Sequence, residues 1–248
     1  MSLEGKNAVV TGAARGLGRA IALKLARDGA AVSAWDLNAE GAEETARMIR
    51  DAGGRAIACG GNSAKPEDIA LAVERTHAEL GPITILVNNA ALSPFVFWDD
   101  LTEQIWDDLM AINMKGPFLC CKAIIPDMRA AGVGRIINIS SSSAQGGSGF
   151  HAHYAASKGG VIGFTKALAL ENARKGVTVN CIAPGYIDTE MVGAMDQKVL
   201  DAIVAQIPVG RLGKGEEIAD MVAFLAGEHA GYVTGSTLSL NGGQYMAG

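Results

Sequence analysis

Ala8-Val9-Val10-Thr11-Gly12-Ala13-Ala14-Arg15-Gly16-Leu17-Gly18 is the stretch that decides the architecture. Ala8–Val10 is a short apolar run that reads as a buried strand. From Gly16 to Asp28 the apolar residues Leu17, Ile21 and Leu25 recur at i, i+4 and i+8, the period of a helix with one buried face, and Gly29 stops it. A strand, a glycine-rich turn and a helix therefore follow one another without a linker.

The same alternation runs outward to the end of the chain. Strand Ala31–Trp35, ending at Asp36, precedes helix Ala39–Asp51, and strand Ala56–Cys59 precedes helix Pro66–Leu80. Strand Ile83–Val87 precedes helix Thr102–Met128, strand Arg135–Ile139 precedes helix Tyr154–Arg174, and strand Val177–Ala183 precedes helix Glu216–Leu225. Thr237–Leu240 is the last strand. Near-continuous apolar strands alternating with helices imply a parallel sheet covered on both faces. The expected fold class is α/β: one doubly wound Rossmann domain over 1–248 with a seven-stranded parallel sheet. The 187–213 stretch departs from the rhythm after the sixth strand and reads as a substrate loop or lid, carrying Met191, Met195, Ile203, Ile207 and Pro208.

Composition narrows the function classes. With 248 residues, 49% hydrophobic and only 5% aromatic, the chain can bury a large core built of small residues, with no need of a disulfide or metal staple. A net charge of −5 argues against nucleic acid or an anionic membrane as partner. No window approaches the length of a membrane span and the N-terminus has no signal-peptide character, so the cytoplasm is the expected location. Cys59, Cys120, Cys121 and Cys181 lack metal-ligand or CxxC spacing and read as reduced packing residues, so no metal is expected.

In the Gly12-x3-Gly16-x-Gly18 turn, glycine lets the backbone approach a diphosphate, while the helix start offers free N–H groups and the positive end of its dipole. Asp36 stands at the end of the second strand, 18 positions after Gly18, where a carboxylate can bind the adenosine ribose hydroxyls of a dinucleotide. Within ~4 Å of a 2′-phosphate that carboxylate meets repulsion of up to about 4 kcal/mol at an effective dielectric near 20, which favours NAD over NADP. Arg15 pulls the other way, but Leu37 and Asn38 supply no second cation.

Tyr154 and Lys158 lie four apart at the start of a helix and share one face. Ser141 closes the fifth strand, 13 residues earlier. Carbonyl reduction needs an acid for the developing alkoxide; Tyr becomes one when a neighbouring ammonium favours its phenolate, and a serine hydroxyl can hold the same oxygen. His151 and His153, just before Tyr154, are open to a pocket role or to plain exposure. Gly159, Gly160 and Gly163 on the same helix suggest close helix–helix contact.

Thr11-Gly12-x3-Gly16-x-Gly18, Asn88-Asn89-Ala90, Asn113, Ser141 with Tyr154-x3-Lys158, and Pro184-Gly185 together make the whole chain resemble the short-chain dehydrogenase/reductase family. The resemblance implies Tyr154 as acid/base, Lys158 as its modulator and a ribose ligand, Ser141 as carbonyl anchor, and Asn113 as holder of a relay water at a local helix distortion. It implies cofactor contacts from Gly12, Arg15, Gly16, Leu17, Gly18, Asp36, Leu37, Asn62, Ser63, Asn89, Ala90, Tyr154, Lys158, Pro184, Gly185, Ile187 and Thr189. Substrate contacts are expected from Ser141, Ser143, His151, Tyr154, Tyr186 and Met191. Three departures stand out: Ala91 where the family has Gly, Asn62 where Asp is common after the third strand, and Asn241 in Leu240-Asn241-Gly242-Gly243 where many relatives carry Asp.

The implied function is NAD(P)(H)-dependent hydride transfer between nicotinamide and a ketone or secondary alcohol, in a homotetramer. The 184–191 segment and the C-terminal Ser239–Gly243 are similar to 3-oxoacyl-thioester reductases, including those acting on acetoacetyl-CoA. Alternatives are a polyol, sugar or cyclic-alcohol dehydrogenase and a catalytically silent nucleotide-binding regulator.

Overall fold

The computed structural model describes residues 2–189 and 196–246. Its elements follow the expected alternation: β1 (Asn7–Thr11), α1 (Gly16–Arg27), β2 (Ala31–Asp36), α2 (Ala39–Asp51), β3 (Ala56–Gly60), α3 (Pro66–Glu79) and β4 (Ile85–Asn88). Then come α4 (Glu103–Met110), α5 (Gly116–Ala131), β5 (Gly134–Ile139), the short α6 (Ser143–Gly146), α7 (Ala152–Asn172) and β6 (Val177–Pro184). The chain continues with β7 (Ile187–Asp188), α8 (Gln197–Ala205), β8 (Gly213–Lys214), α9 (Gly215–Ala226) and β9 (Thr237–Leu240).

Seven strands form one parallel sheet in the order β3-β2-β1-β4-β5-β6-β9, and β7 pairs with β8 in a separate two-stranded ribbon. The order reverses between β1 and β4, where Val10 pairs with Val87 while Thr11 pairs with Trp35 on the other side. That reversal leaves a crevice at the carboxyl ends of the strands, the place where open α/β sheets take ligands.

Alternate strand residues feed opposite faces. Val10, Val87 and Ile137 pack with Ile21 and Leu25 of α1 and Val222 and Leu225 of α9. Val9, Leu86 and Ile136 pack with Ile124 and Met128 of α5 and with Val179. Both clusters are closed to solvent, which is why the central strands read as unbroken apolar runs. All four cysteines are unpaired and buried, and desolvation pushes the Cys120 thiol up to about 12. Among the described residues no helix is long and apolar enough to cross a membrane.

Two expectations need correction. The helix expected over Thr102–Met128 is not continuous: a π-helical turn, Ala111–Lys115, separates α4 from α5 at the local distortion that the resemblance implied at Asn113. Pro117 has no N–H and so cannot supply the α-helical bond to the Asn113 carbonyl. The strand expected from Ile83 begins at Ile85, because the Ile83 N–H donates to the Asp127 carboxylate at 3.1 Å and not to a neighbouring strand. The 187–213 stretch carries the β7–β8 ribbon and α8; Met191 and Met195 lie outside the described residues.

Ile136→Ala, at a fully buried position, is expected to lower unfolding free energy by about 2–5 kcal/mol, read as a shift of the urea midpoint with an unchanged slope.

Candidate active site

The crevice at the strand reversal is a cleft of about 830 Å³. Its floor is the glycine turn. Gly12 and Gly16 adopt φ of +68° and +54°, a region that disfavours side chains. A Cβ on Gly12 would come within 2.8 Å of the Ala90 Cα, and one on Gly18 would overlap the Gly12 carbonyl. Thr11 Oγ1 accepts from the N–H groups of Asn89 (3.0 Å) and Ala90 (3.1 Å), while Asn89 Nδ2 donates to the carbonyls of Thr11 (3.0 Å) and Gly12 (3.1 Å). The ends of β1 and β4 are thereby locked together under the N-terminus of α1. A turn with no side chains, opening on free helix N–H groups, fits a dinucleotide diphosphate.

Of the expected cofactor contacts, Gly12, Arg15, Gly16, Leu17, Gly18, Asp36, Leu37, Asn62, Ser63, Asn89, Ala90 and Thr189 line this cleft. The Asp36 carboxylate accepts from the N–H of Ala14 (2.9 Å) and of Asn38 (2.9 Å), which fixes it at the mouth of the turn. Trp35, Asp68, Ile69 and Ala72 also line the cleft and escaped the sequence reading. Asp68 accepts the Asn62 N–H at 2.8 Å, so a carboxylate does border this end of the cleft although position 62 is Asn.

At the carboxyl end of β5, Ser140 Oγ donates to the Lys158 carbonyl at 2.8 Å and Lys158 Nζ donates to the Ile139 carbonyl at 2.7 Å, pinning α7 to the sheet. Ser141 Oγ accepts the Ser143 N–H at 3.1 Å, leaving its own proton free to donate. Tyr154 projects beside it, and the nearby hydroxyls of Ser141 and Ser93 both favour its phenolate. Ser93, in the loop after β4, carries no pattern that would have singled it out.

The electrostatics differ from the expected form. Burial raises the Tyr154 phenol above its ordinary range, partly offset by the two serine hydroxyls. Burial likewise pushes the Lys158 ammonium down to about 8. That ammonium lies 5.7 Å from the Tyr154 ring centre, turned to the Ile139 carbonyl rather than to the phenol oxygen. Each group is thus desolvated in its charged form, and attraction between a phenolate and the neighbouring ammonium offsets part of both penalties.

Asn113 is buried and grips the backbone of Leu92 in both directions, accepting from its N–H at 2.8 Å and donating to its carbonyl at 2.9 Å; it also donates to Ser157 Oγ at 3.1 Å. Ser157 Oγ in turn donates to the Tyr154 carbonyl at 2.8 Å, so the π-helical turn, the loop after β4 and α7 are one network. Ser143 starts α6, and its N–H positions Ser141. Pro184 accepts the Ser142 N–H at 2.8 Å, and a Cβ on Gly185 would meet Asn241 at 2.9 Å. Tyr186 and Ile187 border a smaller cavity of about 270 Å³ with Ile207 and Val209, apart from the main cleft.

His151 and His153 are both buried rather than exposed; His151 stacks on Phe95 with ring centres 3.8 Å apart. A Cβ on Gly160 would meet Met114 Sδ at 2.8 Å, whereas Gly159 and Gly163 face open space.

Known proteins agree with this geometry. Residues 12–244 match the family described as enoyl-(acyl carrier protein) reductase. The 3-oxoacyl-(acyl-carrier-protein) reductase FabG of Vibrio cholerae is 44% identical over 247 residues, covering 99% of this chain and 100% of that one. The acetoacetyl-CoA reductase of Rhizobium meliloti is 44% identical over 241 residues, covering 97% and 98%. A solved structure from Sinorhizobium meliloti 1021, assigned to the short-chain alcohol dehydrogenases, superposes with a TM-score of 0.94 at 36% identity, covering 98% and 97%. The chain belongs to the short-chain dehydrogenase/reductase family. As a member it is an oxidoreductase that uses a nicotinamide cofactor and a small-molecule substrate.

The Lys158 folded-state pKa lies below the unfolded 10.5, so the burial penalty is complete below about pH 8 and fades as pH rises toward 10.5. Lys158→Met is therefore expected to stabilise the fold by about 1–3 kcal/mol at pH 7. Denaturation across pH should show that gain shrinking between pH 8 and 10.

Proposed function

We propose that this protein is an NAD(H)-dependent carbonyl reductase, equally able to run as a secondary-alcohol dehydrogenase. The observation that carries the reading is the convergence of the Ser141 and Ser93 hydroxyls on the Tyr154 phenol, with the buried Lys158 one turn along α7.

When bound, the cofactor supplies or accepts the hydride. The remaining chemistry falls to this chain. Ser141, its lone pair occupied by the Ser143 N–H, donates a hydrogen bond to the substrate oxygen. Tyr154 hands its proton to that oxygen as the alkoxide develops, or takes it back in the oxidative direction. Lys158 shares the charge of the resulting phenolate. Asn113 holds the loop after β4 against α7 so that both hydroxyls keep their place, and its backbone carbonyl at the π-helical turn is the proposed anchor for a relay water.

For the cofactor, the cleft lining among the described residues sets one cation, Arg15, against the carboxylates of Asp36 and Asp68. That balance supports NAD(H) over NADP(H). The relatives' names support a 3-oxoacyl thioester as a second reading of the substrate. A cytoplasmic homotetramer is the proposed state, supported by the open outer face of α7 at Gly159 and Gly163.

Asp36→Ala should raise kcat/KM for NADP⁺ relative to NAD⁺ by tenfold or more, about the factor that 1.4 kcal/mol of removed repulsion gives; an unmoved ratio would refute the cofactor assignment. Tyr154→Phe should keep NADH affinity, read by fluorescence titration, and lose at least about a hundredfold in kcat on any ketone the wild type turns over. Retained turnover would remove Tyr154 from the acid role.

A further inference from the structure

Aromatic residues are only 5% of the chain, yet Phe95, Phe97 and Phe150 gather near Tyr154, with the exposed Trp98 next to Phe97 in the chain. His151, 5% exposed, lies 5.1 Å from the Tyr154 ring and stacks on Phe95 at 17° between ring planes; Phe95 itself is 55% exposed. A continuous series of rings thus runs from the reacting phenol to solvent. Phe97 packs on Phe150 at 4.5 Å between centres, and the Val96 N–H donates to the Phe150 carbonyl at 2.9 Å. Phe150 is the one non-glycine residue among those described with positive φ, at +60°. A bulky side chain in that region is strained, and such strain gathers at ligand sites. Here it keeps an apolar rim open to water that ordinary folding would bury.

The segments that carry these rings hold charge of one sign. The sequence from 88 to 114 contains Asp99, Asp100, Glu103, Asp107 and Asp108 but no Lys or Arg; 139–157 contains no charged residue, and 184–189 contains only Asp188. Asp99 and Asp100 follow Trp98 directly and are exposed. Coenzyme A carries a diphosphate and a 3′-phosphate, and such a carrier approaching this mouth meets carboxylates and no free cation in these segments.

We propose that the mouth beside Tyr154 selects an uncharged ketone or secondary alcohol bearing an aromatic or similarly bulky apolar group, and disfavours polyanionic thioester carriers. This rests on the carbonyl-reductase reading and sets the chain apart from relatives named for thioester substrates. The apolar group stacks along the Phe95–His151 series with its carbonyl at Ser141 and Tyr154, and the acidic rim turns away anionic carriers.

Three substrates separate the two effects: ethyl benzoylacetate (neutral, aryl), ethyl acetoacetate (neutral, methyl) and acetoacetyl-CoA (anionic), each with NADH. The expected kcat/KM falls in that order, with an aryl advantage of about three- to tenfold. Added salt should raise the acetoacetyl-CoA rate alone. Phe95→Ala should raise KM for the aryl ester about three- to tenfold with little change in kcat, and Phe95→Tyr, which keeps the ring, should restore it. Asp99→Asn with Asp100→Asn should raise the acetoacetyl-CoA rate relative to that of ethyl acetoacetate. Acetoacetyl-CoA as the best of the three, or an unchanged KM in Phe95→Ala, would overturn the proposal. Turnover of none of the three would instead refute the carbonyl-reductase reading. Calorimetric binding to the NADH-loaded protein then decides the mouth: tighter ethyl benzoylacetate supports it, tighter acetoacetyl-CoA overturns it.

Discussion

Where β1 and β4 end, the backbone leaves no room for side chains. Gly12 lies against Ala90, Gly18 against Gly12, and Thr11 and Gly12 share four hydrogen bonds with Asn89 and Ala90 across the gap. Everything functional in the molecule is measured from this junction. It closes the floor of the cleft, aims the N-terminus of α1 at the space above it, and sets where the loop after β4 leaves the sheet. From that loop come Leu92, gripped by Asn113, and Ser93, beside the phenol of Tyr154. A packing constraint of a few ångströms is in this way propagated to both the cofactor end and the chemical end of the crevice.

The chemical end depends on two groups that the protein makes uncomfortable. Burial disfavours the phenolate of Tyr154 and the ammonium of Lys158 alike. The phenol stays neutral and the ammonium keeps its proton only up to about pH 8; side by side on α7, they make proton transfer at Tyr154 responsive to charge created or removed beside it. The serine hydroxyls supply directional stabilisation, and the Ile139 carbonyl holds the ammonium until a better partner forms.

Much of this was legible in the sequence because it is local. Glycine spacing reports a turn, Tyr154-x3-Lys158 reports a shared helix face, and Asp36 at a strand end reports the ribose side of the cleft. The elements that escaped depend on contacts between distant segments. The break at Asn113 was implied by the family resemblance alone; the missing N–H of Pro117 was visible, but the residue reading still ran one helix through it. His151 looked like a helix-start residue and proved to be sandwiched between Phe95 and Tyr154, a neighbourhood formed by a loop more than fifty residues upstream. Ser93 carried no periodic or spacing signal, since it acts on a phenol in a distant segment, and Asp68 reads from sequence as an ordinary first-turn acid of α3.

A crystal structure of the protein with bound NAD⁺ bears most directly on the claim that this junction organises the site. Diphosphate density over the amides of Gly16–Gly18, an adenosine ribose on the Asp36 carboxylate, and the nicotinamide ring beside Ser141 and Tyr154 are the expected result. A dinucleotide bound away from the glycine turn, or a nicotinamide out of reach of the Tyr154 hydroxyl, would contradict it.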